Sequence, residues 1–237
     1  MRALRQLTFF ATPPDTCGYL PDREAVNAVA DPRVPMTTGL YSELIDLGFR
    51  RSGRHVYRPH CPGCSACVPA RIPVAHFQPN RSQRRNARLN RDLHVRIQGA
   101  GFSDEQYALY EQYVRHRHPG GGMDQPTPES YLRFLTCDWC ETWFVEFRDG
   151  DNLAAVAVTD RLEHALSAVY TFFDPAARQR GLGTYAILWQ IEQARLLGLD
   201  YLYLGYWIDE SPKMRYKRHF RPLEGRIDGY WRELSAG

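Results

Sequence analysis

Three cysteines recur at intervals of three in Cys61-Pro62-Gly63-Cys64-Ser65-Ala66-Cys67, and Cys17 stands apart near the start of the chain. Four thiolates suit zinc or an iron–sulfur cluster, and three at this spacing match a ferredoxin-like run. Reduced thiols packed in a small core are the plainer alternative. Cys137 and Cys140 form a second C-x2-C pair, where two buried thiols at a helix end account for the spacing. A different chemistry is carried by Arg178-Gln179-Arg180-Gly181-Leu182-Gly183. Glycines let a backbone approach a phosphate closely, and a helix starting just after them points free N–H groups at it. Alone the hexapeptide is weak, because many strand-to-helix turns contain glycine.

Charge supplies the third signal. Between Arg50 and Arg96 there are eleven arginines and a single acid, Asp92, inside a chain whose net charge is only +3. A basic block in an otherwise acidic chain is the footprint of a nucleic acid or another polyanion, or of a solvated face. Lys213 and Lys217 are the only lysines among thirty basic residues.

These groups need elements to hold them. In the first 98 residues the pattern predicts one helix, capped by Thr38, with Leu40, Tyr41, Leu44, Ile45 and Leu47 on its apolar stripe and Gly48 as its stop. After a junction at Gln98–Gly101, a helix is expected from a Ser103 cap, with Gln106 capping reciprocally, to about His118. Pro119–Gly122 reads as a flexible loop, and Thr127-Pro128-Glu129 opens a short helix ending near Cys137. The period then changes to two. Strands are expected over Thr142–Arg148, Leu153–Thr159 and Ala165–Phe173, the first two joined as a hairpin by Asp149–Asn152. A helix over Thr184–Leu197, a strand over Asp200–Trp207, a helix over Pro212–Phe220 and a strand over Ile227–Leu234 complete the series. The expected division is 1–98, rich in Cys and Arg, and 99–237.

Composition narrows the class. With 43% hydrophobic and 24% charged residues the chain is neither disordered nor fibrous. No apolar run approaches the ~18 residues of a membrane helix. The N-terminal residues lack the pattern of a secretory signal, so a cytoplasmic protein with reduced thiols is expected.

The order strand, strand, strand, Gly loop, helix, strand resembles the GNAT acyltransferase fold. More specifically, the chain resembles the aminoacyl-tRNA–protein transferases of the arginyltransferase superfamily, most closely their short bacterial aspartate/glutamate leucyltransferase branch. The matching stretches are Cys17–Pro21, Gly48–Gly53, His55–Pro59 running into the cysteines, Arg81–Arg85, Val169–Pro175, Tyr203–Ile208 and Lys213–Lys217. They keep their order along nearly the whole chain. One departure is Ser211, where the family often has Cys.

The resemblance implies an α+β fold, a GNAT-like core of mixed sheet flanked by helices, with an N-terminal Cys/Arg-rich domain. It implies transfer of leucine from leucyl-tRNA to the N-terminal Asp or Glu of an acceptor protein, creating an N-degron of the N-end rule pathway. No cofactor is needed, because the ester is already activated. Arginyl-tRNA as donor, or CoA-dependent N-acetylation, are the alternative readings. Asp174, with Tyr170 beside it, is the expected reacting-centre pair, Asp174 holding the acceptor ammonium; an Asp-Pro turn is the plainer reading. Arg178, Gly181, Gly183, Lys213, Tyr216 and Lys217 are expected at the tRNA 3′ end, with Arg81, Arg84, Arg85 and Arg88 as a phosphate strip. Arg50, Arg51 and Arg58 are the candidates for the acceptor carboxylate. Tyr203, Tyr206, Trp207, Trp189 and Phe172 are candidate walls for leucine, each also an ordinary core residue.

Overall fold

The computed structural model describes residues 7–117 and 125–235. The expected Pro119–Gly122 loop lies outside them. The strands are β1 (Phe9–Ala11), β2 (Asp15–Thr16), β3 (Glu24–Ala25), β4 (Asn27–Ala30), β5 (Arg50–Ser52), β6 (His55–Pro59), β7 (Val68–Pro73), β8 (His94–Gly99), β9 (Glu141–Asp149), β10 (Asn152–Arg161), β11 (Ala165–Phe173), β12 (Tyr201–Trp207), β13 (Glu224–Ile227) and β14 (Tyr230–Glu233). The helices are α1 (Thr38–Asp46), α2 (Arg81–Leu89), α3 (Asp104–Arg117), α4 (Pro128–Leu135) and α5 (Leu182–Leu196).

An eight-stranded sheet runs in the order β14-β13-β7-β12-β11-β10-β9-β8. Only β11 and β12 pair in parallel within it; the other pairs are antiparallel. Alternation along the strands dictates two buried faces. Val145, Phe147, Ala155 and Ala157 point toward α5 and pack with Leu182, Ala186 and Ile191. Phe144, Val156, Val158 and Phe172 point the other way, against Tyr110 and Val114 of α3 and Tyr131 and Leu135 of α4. The sheet is therefore covered by helices on both sides. A four-stranded sheet, β1-β4-β6-β5, packs through α1 onto the same body.

Several expectations need correction. Residues 7–98 contain far more than one helix: β1 to β8 and α2 lie there, and β7 and β8 belong to the large sheet. The sheet thus crosses the 98/99 division, with β7 inserted between β12 and β13. Thr37, not Thr38, caps α1, accepting from Leu40 N at 3.2 Å. Ser103 does cap α3, but the Gln106 amide turns inward to Glu146 at 2.9 Å. Pro212–Phe220 is not a full helix; it holds a 3-10 turn, Arg215–His219. The single final strand is a hairpin, β13–β14.

Candidate active site

The site begins where two strands part. β11 and β12 pair only over Ala165–Ser167 and Tyr201–Tyr203, although both continue beyond. The register of β12 against β7 slips between Tyr203 and Gly205, and Gly205 has φ +79°. This left-handed backbone favours glycine. So does its neighbour, because a Cβ here would overlap the guanidinium of Arg50. Arg50, at the start of β5, therefore reaches into the fork. Its Nη2 donates to the carbonyl of Ala168 at 2.9 Å, one residue past the last β11–β12 pair. Its Nε and Nη1 have no hydrogen-bond acceptor among the described residues.

A cleft of about 810 Å³ opens from this fork. Tyr170 and Phe173 of β11, Tyr113 and Arg117 of α3, and the N-terminal turn of α5 line it, together with Lys213, Tyr216 and Lys217. Its charged lining among the described residues is Arg50, Arg51, Arg117, Arg178, Lys213 and Lys217; no aspartate or glutamate takes part. Such a surface attracts anions and offers no carboxylate as base.

Lys217 is the most perturbed of these cations. It is 5% exposed, and its Nζ donates to the carbonyl of Tyr206. Burial, followed by the nearby Arg50 charge, lowers its pKa from 10.5 to about 7. It is thus not the surface phosphate contact expected from a helix bearing Lys213 four residues away. Lys213 itself is exposed at the cleft mouth. Tyr170 packs edge-on against Tyr110, Tyr113 and Phe134, and burial raises its hydroxyl well above the ordinary value. It is a neutral hydrogen-bonding group at physiological pH, not a base.

The glycine loop is held from outside. Pro175–Arg180 forms a 3-10 turn, and Gly181 adopts φ +61° before α5 begins. Asn86 of α2 donates to the carbonyls of Arg180 at 2.8 Å and Gly181 at 3.2 Å. Asn90 also donates to Arg180 O, at 2.8 Å. Arg180 is not free for phosphate, since it pairs with Asp92 at 2.6 Å and Asp149 at 2.9 Å. Arg178, Gly181 and Gly183 line the cleft. Arg81, Arg84, Arg85 and Arg88 are exposed on α2, next to this loop. α2 is polar all round and shows no apolar period, but Asn80 and Gln83 form a capping box that marks its start in the sequence.

Three sequence candidates present no free group to the cleft. Arg51 is fully buried in a two-point ion pair with Asp160, both contacts 2.6 Å, and also donates to Leu135 O. Its donors are spent on holding β5 to the large sheet. Arg58 lies over the ring of Phe49, 5.0 Å from its centroid, outside the cleft. Asp174 accepts from Ala176 N at 2.8 Å and caps the turn, and it does not line the cleft. Of the expected leucine walls only Tyr206 faces the cleft. Phe172 is buried behind the sheet, Trp189 packs on Phe147, and Tyr203 bonds to Asp46. Sequence reasoning missed Tyr113, His116 and Arg117; their spacing marks one helix face but not the cavity it faces.

Cys17, Cys61 and Cys67 line a second cavity of about 520 Å³. Cys61 is engaged as a thiol, 3.4 Å from Val26 N and 3.5 Å from Val26 O. Burial, reinforced by Cys17, Cys61 and Cys64, pushes Cys67 up to about 11. Cys64 is held below its ordinary value by a hydrogen bond from the Ala66 backbone, with Arg23 Nη1 at 3.3 Å. Among the described residues, no group of three or more His, Cys, Asp or Glu side chains is gathered to hold a metal ion. The four thiols are neighbours without being a ligand set, so no chemistry is routed through a metal here.

The families described as arginine-tRNA-protein transferase, N terminus and C terminus, match residues 15–85 and 105–227. An aspartate/glutamate leucyltransferase from Nitrosococcus oceani is 55% identical over 228 residues, 96% of each chain. One from Marinobacter nauticus is 50% identical over 236 residues and the full length of both. The chain belongs to the arginine-tRNA–protein transferase family. Its full-length relatives are aminoacyl transferases, and this chain is an enzyme of that kind. Among solved structures, FemX aligns with a TM-score of 0.44 and 9% identity, over 86% of this chain and 80% of that one.

Proposed function

We propose that the chain moves leucine from leucyl-tRNA to the N-terminal Asp or Glu of acceptor proteins, and that the fork between β11 and β12 is the reacting centre of a GNAT-like core. The observation that carries this is a cleft lined by cations, with no described carboxylate, at the fork of two strands. One end adjoins the glycine loop and the arginines of α2, a natural seat for the phosphates of the tRNA 3′ end. Arg50 Nε and Nη1 face the acceptor carboxylate and form its charge-assisted contacts.

The reaction is aminolysis of an ester. The acceptor amine attacks the aminoacyl carbonyl, the C–N bond forms, and the ribose oxygen leaves with the electron pair. An α-amine titrates near ~7.7–8.0, so freeing it at neutral pH costs only about 1 kcal/mol. Positioning and charge stabilisation therefore supply most of the rate. Lys217 Nζ, with a value close to that of the amine, accepts its proton and returns it toward the leaving oxygen. Tyr170 supplies a neutral hydroxyl beside the carbonyl.

The lining also bears on the donor. An arginyl group would need a carboxylate partner, and none of the described lining residues supplies one. Leucine needs apolar wall, which Phe134, Phe173, Ile187, Leu204 and Met214 provide. Among the described residues no helix is long and apolar enough to cross a membrane.

The test is transfer from leucyl-tRNA and arginyl-tRNA, in parallel, to peptides beginning with Asp, Glu, Arg or Ala. Leucine on the Asp and Glu peptides alone is expected. Arginine instead would change the donor, and acetylation from acetyl-CoA with no aminoacyl transfer would overturn the reading.

A further inference from the structure

α2 carries two faces of opposite character. Arg81, Arg84, Arg85 and Arg88 recur at helical spacing on one side, and all four are exposed. Gln83, Asn86 and the C-cap residue Asn90 recur at intervals of three and four on the other. Gln83 is 4% exposed and Asn90 0%. The inner face of a surface helix is ordinarily apolar. Here it is a stripe of amides, and the apolar residues of α2 are only Ala87 and Leu89, the latter 51% exposed. The helix therefore meets the body through hydrogen bonds more than through buried apolar surface.

Those amides bond to two separate segments that line the cleft. Asn86 Nδ2 and Asn90 Nδ2 each donate to Arg180 O at 2.8 Å, and Asn86 Nδ2 also donates to Gly181 O at 3.2 Å. Asn90 Oδ1 accepts from Arg180 Nε at 3.1 Å. These contacts fix the turn before α5, a helix whose start has no side-chain cap and keeps its first N–H groups for a ligand. Gln83 reaches elsewhere, its Nε2 donating to His219 O at 3.0 Å. His219 closes the 3-10 turn Arg215–His219, which carries Tyr216 and Lys217. Asn86 shows what its position requires. Its Oδ1 is buried with no hydrogen-bond partner among the described residues. An apolar side chain of similar size would bury no such atom, so the N–H groups aimed at the loop carbonyls account for the amide.

We propose that Gln83, Asn86 and Asn90 are positioning residues for transfer: Asn86 and Asn90 set the glycine loop that takes a phosphate of leucyl-tRNA, and Gln83 sets the turn that presents Lys217. One helix thus fixes two sides of the cleft relative to each other, while its outer arginines face the RNA. The proposal rests on the reading of the cleft as the transfer site.

The experiment measures leucine transfer to an Asp peptide by the wild-type protein, Asn86→Leu and Gln83→Met, replacements that keep side-chain size and remove the N–H donors. Asn86→Leu should raise KM for leucyl-tRNA about ten-fold, with kcat and KM for the peptide within about two-fold of wild type. Gln83→Met should instead lower kcat about ten-fold, with both KM values within about two-fold. Asn86→Ala and Gln83→Ala should show the same split, so the test does not depend on the larger replacements folding. Urea unfolding of each variant separates this from packing, because a packing role alone lowers the midpoint and leaves the constants of the folded enzyme unchanged. Unchanged constants in all the variants, or one common fall in kcat/KM without the split, overturns the positioning role alone. Failure of the wild-type protein to transfer leucine to the Asp peptide overturns the cleft reading and the positioning role with it.

Discussion

Replacing Lys217 by methionine should stabilise the protein while destroying its activity, and the stabilisation should depend on pH. Lys217 is buried beneath the cleft, with only the Tyr206 carbonyl as its hydrogen-bond acceptor among the described residues. Its pKa falls from 10.5 to about 7. At about 1.4 kcal/mol per pH unit, the buried ammonium costs roughly 5 kcal/mol once it is protonated in both states. The sign follows from proton counts. Between about 7 and 10.5 the unfolded chain holds this proton and the folded chain does not, so the wild-type protein gains stability as pH rises. The penalty is full below about 7, falls to roughly 2 kcal/mol at pH 9, and is gone above 10.5. Methionine is unbranched and one heavy atom shorter, and it removes the charge. It also loses the hydrogen bond to Tyr206, worth about 1 kcal/mol at any pH. The net gain should be roughly 4 kcal/mol at pH 6.5 and roughly 1 kcal/mol at pH 9. Urea unfolding of both proteins at the two pH values reads this directly. A gain equal at both pH values, or larger at pH 9, would refute the reasoning. A buried charge kept at such a cost needs a functional reason, so leucine transfer by the variant should fall by at least ~100-fold.

Two further perturbations address the two ends of the cleft. Gly205→Ala puts a Cβ where the Arg50 guanidinium lies, so Arg50 must move although its charge remains. KM for Asp-initiated peptides should rise about ten-fold or more, with KM for leucyl-tRNA unchanged; equal effects on both would place Arg50 on the donor side instead. Replacing Arg81, Arg84 and Arg85 together by alanine should raise KM for leucyl-tRNA and flatten its salt dependence by about 2–3 in log–log slope. An unchanged slope would remove α2 from the tRNA path.

The second half of the fold was legible because its strands and helices carry clear apolar periods. Ala165–Phe173 matches its strand end for end, and the β9–β10 hairpin follows from Asp149–Asn152. In the first 98 residues α1 was legible from its apolar stripe, and the rest was not, for two physical reasons. β5 and β6 are short and half-exposed, so no period of two develops there, and α2 buries little but Gln83. The insertion of β7 beside β12 is a contact between residues more than a hundred apart, which no local pattern encodes. At the site, the residue types singled out cations and glycines, and Arg50 and the Gly181 loop line one cleft. Direction was the missing information. Arg51 is adjacent to Arg50 and points to the opposite side, into Asp160. Asp174 follows a cleft-facing strand, yet its carboxylate turns back to cap the next segment. Lys217 shares a short turn with exposed neighbours and is itself buried.

The central claim is that cations at the fork of β11 and β12 read the acceptor's first carboxylate while the amine reacts. Peptides beginning with Asp or with Asn are nearly isosteric and differ in that charge alone. Their kcat/KM for leucine transfer should differ by about 100-fold or more in the wild-type protein, and Arg50→Ala should bring the ratio down toward one. Equal transfer to the Asn peptide, or a ratio untouched by loss of Arg50, would contradict the account.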